Sequence, residues 1–578
     1  MKISFDPGSN RISTGRFSLL IQPNKPFLLL SDSEGLEIAE LFPFSSVHTA
    51  QGLDDTTQTS AWEVTRNAEE ILLECNASSS IWQNKRYRLR CTSTSLHYWI
   101  EVEGEGNLTE VDYFGGYCSS SLRWGSGYFE SGNSFLEGFT PEPNTREAIY
   151  FPASSSERID LTGVPIPGRD GWFFTPSPFC FCFRTRAGWL SAGVEASPLE
   201  NRFSDYQYQA GDRWFHFTLA YDGMTRVHGS YSLPMLSIYF ADDPYDALKL
   251  HAEALRERNW AASSHPGQTP AWWREPIFCG WGAQSNLASK VEGWTPDFAT
   301  QDNYNQFLAE LDMHGINPGT VVIDDKWQQH YGENSVDPQK WPDMGGFVRE
   351  QHERDRKVLL WLKFWDPDGL PADECITNAG GAIVAVDPTN PKFITRFTES
   401  IRYLLASESL NGDGFKVDFS ARIPCGPGMR IHQDVWGLEL MKTMLKLLYT
   451  TAKAVKPDAL IITHTPHPYL APYLDMIRLN DINRGKDLIK AMVHRQKVAR
   501  IACPDALIDT DNWPITNKAD WLAYLDIQSD LGVPALYYSS EIDATHEKLT
   551  TADYARLRNQ WKRYTEERSI HENNTLEG

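Results

Sequence analysis

From about Trp272 onward the chain alternates short, almost uniformly apolar runs with amphipathic stretches, and few folds accept that pattern. The runs are Ile277-Phe278-Cys279-Gly280-Trp281, Thr320-Val321-Val322-Ile323-Asp324-Asp325, Val358 to Trp365, Gly414 to Ser420, Ala459 to His464, Met476 to Leu479, Ala506 to Asp509 and Pro534 to Tyr538. A run of about four to eight residues without a polar face is a strand covered on both sides. The stretches between them carry helix signals. Tyr304 to His314 is closed by Gly315, where a left-handed cap is needed. Pro391 to Leu405 has Asn390 as N-cap and proline at its first position, and a long helix runs from about Val435 to Val455. Eight strand-helix repeats predict a parallel (β/α)8 TIM barrel.

The first part of the chain has another rhythm. Phe17 to Ile21, Phe27 to Leu30, Glu70 to Leu73, Tyr87 to Arg90, Leu96 to Ile100 and Trp214 to Thr218 are β-like runs separated by Gly, Ser, Asn and Pro. Such spacing predicts an antiparallel β-sandwich. At Pro244 a helical run begins and continues through Leu255, and Ser263-Ser264-His265-Pro266-Gly267 reads as a linker. With 578 residues, too many for one core, the expected division is a sandwich over 1–241, a helical linker over 242–271 and a barrel over 272–578.

In a barrel the chemistry lies at the carboxyl ends of the strands. There the sequence carries Trp281, then Asp324 and Asp325, then Lys363 with Trp365 and Asp366, then Asp418, His464, Arg478 with Asn480 and Asp481, and finally Asp509, Asp511 and Trp513. In Gly414 to Ser420 the alternation puts Phe415, Val417 and Phe419 on one face and Lys416 and Asp418 on the other. Charges on a buried face are costly unless paired or used, so either Asp418 is a nucleophile or Lys416 and Asp418 form an ion pair. Carboxylates interleaved with tryptophan at one mouth suit the cleavage of a glycosidic bond.

These segments resemble, in their order, the clan of retaining α-glycosidases that joins glycoside hydrolase families 27, 31 and 36. Ile323-Asp324-Asp325-Lys326-Trp327, with Asp337-Pro338 and Trp341-Pro342-Asp343 after it, is similar to that clan's aspartate pair; Leu360-Trp361-Leu362-Lys363 is similar to its third strand. Lys416-Val417-Asp418 resembles its Lys-x-Asp nucleophile motif. The resemblance, closest to the α-galactosidase-like group of family 36, implies that Asp418 forms a covalent glycosyl-enzyme and that Asp481 is the general acid/base. It further implies that Asp324, Asp325, Lys416 and Arg478 hold the sugar and that Trp281 and Trp361 wall the pocket, with Lys363 beside them. Alternation groups Asp481 with Ile477 and Leu479, so it reaches the mouth only if the sixth strand ends near Leu479 or Asn480; Asp509 and Asp511 are the other candidates. After the fifth strand the chain departs from family 36, with Thr463-His464-Thr465-Pro466-His467-Pro468 in place of a segment rich in Cys and Gly.

Composition narrows the alternatives. A net charge of -22 with no Lys/Arg cluster argues against a nucleic-acid partner, and no run approaches the roughly 18 apolar residues of a membrane helix. Nine cysteines without repeated spacing read as reduced thiols, and Met1 to Gly8 lacks the core of a secretory signal, so a soluble, cytoplasmic protein is expected. His432, His464 and His467 have no metal-ligand spacing; His464 reads as a hydrogen-bonded strand-end residue. Lys416 and Arg478 oppose a metal held by Asp324, Asp418 and Asp481. No metal and no cofactor are expected, and the partner is an oligosaccharide or glycoside. An α-glucosidase of family 31 type, a transglycosidase like the raffinose synthases and a non-catalytic sugar-binding protein are the competing readings.

Overall fold

The computed structural model describes residues 3–119, 123–127, 157–160, 180–185, 188–210, 215–261, 269–420, 422–479, 481 and 488–576. Its N-terminal part is two packed, largely antiparallel sheets. The strands Ser4–Asp6, Arg11–Ser13, Phe17–Ile21, Leu28–Asp32 and Glu37–Leu41 follow one another as a meander. The larger sheet is organised on Ser95–Tyr113 and Phe215–Ser232, which pair antiparallel around a bulge between Leu108 and Glu110. In Asn84–Cys91 the residues Lys85, Tyr87, Leu89 and Cys91 are buried in strict alternation, the period of a sheet with one covered face. Phe17 of the first sheet stacks on Phe240 of the second, with ring centroids 4.9 Å apart. Of the expected runs, Trp214 and the linker Ser263 to Gly267 lie outside the described residues.

The last sheet strand, Met235–Ala241, leads into the helix Pro244–Glu257, whose first turn is capped by the Asp243 carboxylate. The barrel then follows: β1 (Ile277–Cys279), β2 (Thr320–Ile323), β3 (Lys357–Lys363), β4 (Gly414–Asp418), β5 (Leu460–Thr463), β6 (Met476–Arg478), β7 (Leu507–Asp509) and β8 (Ala535–Leu536). Neighbours in sequence are parallel neighbours in space, and β8 pairs with β1. A parallel bridge between Asp509 and Val533 closes the ring. All eight expected strands are present, because each run is apolar enough to be covered by helices outside and side chains inside.

Three local expectations are corrected. Trp281 does not end β1; the strand stops at Cys279 and Trp281 opens the helix Trp281–Lys290. The long helix begins at Leu438 rather than Val435, since Gly437 has φ 61° and ψ -137°. Between β5 and β6 there is no full helix, only the short 3-10 turn Ala471–Tyr473; Pro466, Pro468 and Pro472 in this segment remove helix donors.

Two glycines hold close approaches. At Gly414 (φ 148°) a Cβ would stand 2.1 Å from the Leu460 carbonyl oxygen, so β4 and β5 meet at this spacing only without a side chain. At Gly437 a Cβ would stand 2.2 Å from the Phe203 carbonyl oxygen. There the barrel docks on the N-terminal sheets, with Glu439 N–H donating to Asn201 O at 3.0 Å and Arg202 paired with Asp434 at 2.8 Å. Gly437→Ala is expected to destabilise the protein by about 1–3 kcal/mol through backbone strain and overlap. Calorimetry measures this as a lowered melting midpoint; an unchanged midpoint would show that the junction yields.

Candidate active site

The strand register decides which side chains share the barrel interior. Trp361 pairs with Lys416 and Lys363 with Asp418 across β3 and β4, Lys416 pairs with Ile462, and Arg478 pairs with Asp509. Partners in a parallel register face the same way and alternate residues return to the same face. Cys279, Asp324, Trp361, Lys416, Asp418, His464, Arg478 and Asp509 therefore turn inward at one end.

Arg478 is the centre of this group. It is 1% exposed, and its two terminal nitrogens serve three carboxylates: Nη2 donates to Asp418 Oδ1 at 3.1 Å, and Nη1 donates to Asp481 Oδ1 at 2.8 Å and to Asp511 Oδ2 at 2.7 Å. β6 ends at Arg478, so the strand alternation stops before Asp481, and the Asp481 carboxyl turns to the guanidinium. Asn480 lies outside the described residues.

Asp418 takes two further donors. The Phe419 backbone N–H reaches Oδ1 at 2.9 Å and Trp361 Nε1 reaches Oδ2 at 3.2 Å. Burial alone would raise this carboxyl, but Arg478, then His464 and Lys416, hold it well below the usual carboxylate range. Asp481 goes the other way. Burial raises it to about 6, with Arg478 offsetting part of the rise and the Asp418 and Asp511 charges adding to it. Its side chain is 26% exposed, towards the mouth. Asp511 is fully buried, and its Oδ1 accepts the backbone N–H groups of Asn512 and Trp513. Asp509 is buried with Oδ1 on the Asp511 N–H, and burial beside Asp511 raises it to about 6. Of these three carboxyls, Asp481 alone combines a raised pKa with access to solvent.

Lys416 does not pair with Asp418. Its Nζ donates to Asp324 Oδ2 at 2.7 Å and to Cys279 Sγ at 3.3 Å, and the Cys279 thiol donates to the same Asp324 oxygen at 2.9 Å. Burial would strip the lysine proton, but Asp324 keeps its pKa above the ordinary lysine value. The turn after β2 is braced from outside: Tyr304 Oη accepts from Asp324 N–H at 2.7 Å, and Gln284 Nε2 donates to Asp325 O at 2.7 Å. Asp325 faces the mouth, where burial raises its carboxyl to about 7 against the hydrogen bond from Tyr331 Oη at 2.7 Å.

The remaining candidates divide. Lys363 pairs with Asp366 at 2.8 Å, and its Nζ lies 4.2 Å from the Tyr331 ring centroid. Lys326 covers that ring at 3.8 Å and pairs with Asp368. Tyr331 thus joins the site from a loop that no strand pattern marks. Trp361 is both packed and used, since its buried ring donates to Asp418. Trp281 is half-buried and meets Trp513 edge-on at 5.7 Å. The nine cysteines are unbridged, and among the described residues no helix is long and apolar enough to cross a membrane.

Among the described residues, one group of potential cation ligands stands elsewhere, His48, Glu110 and Asp112 in the N-terminal sheet. It does not fit a metal. His48 Nδ1 accepts the Asp54 N–H at 3.0 Å, so Nε2 carries the ring proton towards Asp112 Oδ2 at 3.3 Å. Arg123 already lies 3.3 Å from Glu110 and 3.4 Å from Asp112.

Solved structures share this architecture. A sulfoquinovosidase of glycoside hydrolase family 31 from E. rectale, solved with an aza-sugar inhibitor, aligns with 98% of this chain and 83% of its own, with TM-score 0.57 and 12% identity. This chain has that enzyme's fold. The cycloalternan-degrading enzyme of Trueperella pyogenes matches 98% of this chain and 84% of its own, with TM-score 0.51 and 11% identity. The family 36 α-galactosidase of Geobacillus stearothermophilus matches 98% of this chain and 86% of its own, with TM-score 0.48 and 13% identity. No protein-family model matches the chain, and no curated protein matches it in sequence.

Removing the ammonium of Lys416 leaves the buried Asp324 charge unpaired. Lys416→Met is expected to cost about 3–5 kcal/mol of stability, measured by urea unfolding; a loss below about 1 kcal/mol would mean that Cys279 and water satisfy Asp324 without it.

Proposed function

We propose that the protein is a retaining α-glycosidase that removes terminal α-linked sugars, of α-galactosidase type, through a covalent glycosyl-enzyme. The observation that carries this reading is the pair of carboxyls on adjacent nitrogens of Arg478: Asp418 held ionised, Asp481 raised to about 6. Splitting two carboxyls in this way assigns a base or nucleophile and an acid. Double displacement requires two such carboxyls about 5–5.5 Å apart, with the ionised one as nucleophile and the protonated one as acid. The likeness in fold to a family 31 glycosidase supports the same reading.

In the first step the Asp418 carboxylate attacks the anomeric carbon as the glycosidic C–O bond breaks, and Asp481 gives its proton to the leaving oxygen. In the second, Asp481 takes a proton from water, whose oxygen displaces Asp418. Asp324, Asp325 and Lys416 line the same interior end and are assigned to the sugar hydroxyls. The adjacent aspartates after β2 resemble the arrangement in α-galactosidases, which favours galactose. A family 31 specificity is the second reading, and the likeness in fold to a family 31 sulfoquinovosidase is the reason to test a sulfonated sugar as well as glucose.

The test is a panel of aryl α-galactoside, α-glucoside and α-sulfoquinovoside. Whichever is cleaved, kcat/KM is expected to fall as pH rises through about 6, because Asp481 must be protonated to act as acid. With a substrate bearing an activated leaving group, Asp481→Ala is expected to lose that alkaline limb and to be rescued by azide. Rescue of Asp509→Ala or Asp511→Ala but not of Asp481→Ala would move the acid/base role, and sugar binding without turnover of any member would overturn the enzyme reading.

A further inference from the structure

Asp481 faces the mouth only because the chain leaves strand geometry directly after β6. Leu479 still belongs to the ladder, its N–H donating to Asp509 O at 2.9 Å. Were the strand to continue, the carbonyl oxygens of Leu479 and Asp481 would point to the same side about 6.5 Å apart, the rise of two residues, and Asp481 would share the face of Ile477 and Leu479. Instead a single nitrogen, Arg495 Nη1, donates to Leu479 O at 2.8 Å and to Asp481 O at 2.7 Å. Both oxygens touch that nitrogen, so they lie at most about 5.5 Å apart. The chain between them is bent, and the Asp481 carboxyl meets Arg478 Nη1 at 2.8 Å with its side chain 26% exposed.

The helix Leu488–Ala502 delivers Arg495 to this bend. The arginine lies among the buried residues Met492, Val498, Ala499 and Ala502, at the spacings that share one side of a helix, and is 4% exposed. Taking a guanidinium out of water costs several kcal/mol, whereas an aliphatic side chain would continue the apolar face without that cost. Binding two main-chain carbonyls at once needs what the guanidinium has, two N–H groups on one nitrogen in fixed directions. Two arginines thus act on one residue from different elements: Arg478 of β6 holds the Asp481 carboxyl, and Arg495 of the helix holds its main chain.

We propose that Arg495 is a positioning residue for the proton donor: by binding the carbonyls of Leu479 and Asp481 it ends the strand geometry and turns the Asp481 carboxyl to the mouth, where the leaving oxygen departs. This rests on the reading of Asp481 as the general acid.

The leaving group separates positioning from packing. kcat/KM is compared for two derivatives of the sugar that the wild type cleaves, the phenyl α-glycoside, whose departing oxygen needs a proton, and the α-glycosyl fluoride, whose leaving group departs with little help from an acid. Their ratio does not depend on how much of a preparation is folded. In Arg495→Met, which keeps the length of the side chain without a donor, the phenyl-to-fluoride ratio is expected to fall about ten- to a hundred-fold, the scale of a misplaced catalytic group. Arg495→Lys, with several donors on one nitrogen, should recover part of that loss and show a fall of about three- to tenfold; it carries the test if Arg495→Met does not fold. A merely structural role lowers both substrates together, so an unchanged ratio in Arg495→Met, or in Arg495→Lys where Arg495→Met does not fold, would overturn the inference. Asp481→Ala is assayed alongside: an unchanged ratio there would overturn the reading of Asp481 as acid, whereas a fall in Asp481→Ala beside an unchanged ratio in the Arg495 variants would remove only the role given to Arg495.

Discussion

The barrel mouth depends on one buried cation. Arg478 is removed from water, which by itself is unfavourable by several kcal/mol, and its position is sustained by the three carboxylates it binds, Asp418, Asp481 and Asp511. The guanidinium suits this task better than an ammonium, since it is planar, remains charged when buried and presents donors in fixed directions. Around it burial and charge work against each other. For Asp418 the nearby cations win and the carboxyl stays ionised; for Asp481, which shares Nη1 with Asp511, burial and the two neighbouring anions win. One arginine therefore produces two carboxyls of opposite disposition. A second buried pair, Lys416 with Asp324, repeats the principle on the other side of β4.

This arrangement is rigid because it belongs to the sheet. The parallel register fixes the inward rows, the Gly414 contact sets how closely β4 and β5 approach, and Tyr304 and Gln284 clamp the turn that carries Asp324 and Asp325. The N-terminal sheets are joined to the barrel where Gly437 meets Phe203, at the start of the helix that follows β4. Packing of the two parts thus bears on the same segment of chain that supplies Asp418.

Much of the barrel could be read from the sequence, and for a physical reason: strands covered on both faces must be continuously apolar, so a polar residue at the end of such a run stands out. Asp324, Asp418, His464, Arg478 and Asp509 were all visible in that way. Pairing was not. The Lys416 and Asp418 charges share a face, yet Lys416 is bound by Asp324 from β2, a contact set by barrel closure and by no local spacing. Asp481 was obscured because alternation holds only while the strand lasts, and β6 stops at Arg478. Tyr331 lies in a loop and carried no periodic signal. The early end of β1 and the late start of the helix at Leu438 follow from Gly280 and Gly437, whose surroundings a sequence does not show: a Cβ at Gly280 would collide with the Tyr304 hydroxyl.

The proposed double displacement requires Asp418 as the covalent nucleophile. Incubation with an activated fluoroglycoside of the sugar that the enzyme cleaves, followed by mass spectrometry of the proteolytic peptides, tests it directly. The predicted result is one glycosyl adduct on the peptide that contains Asp418, lost again as activity returns. An adduct on Asp324, Asp325 or Asp481 instead, or hydrolysis with inversion and no adduct, would contradict it.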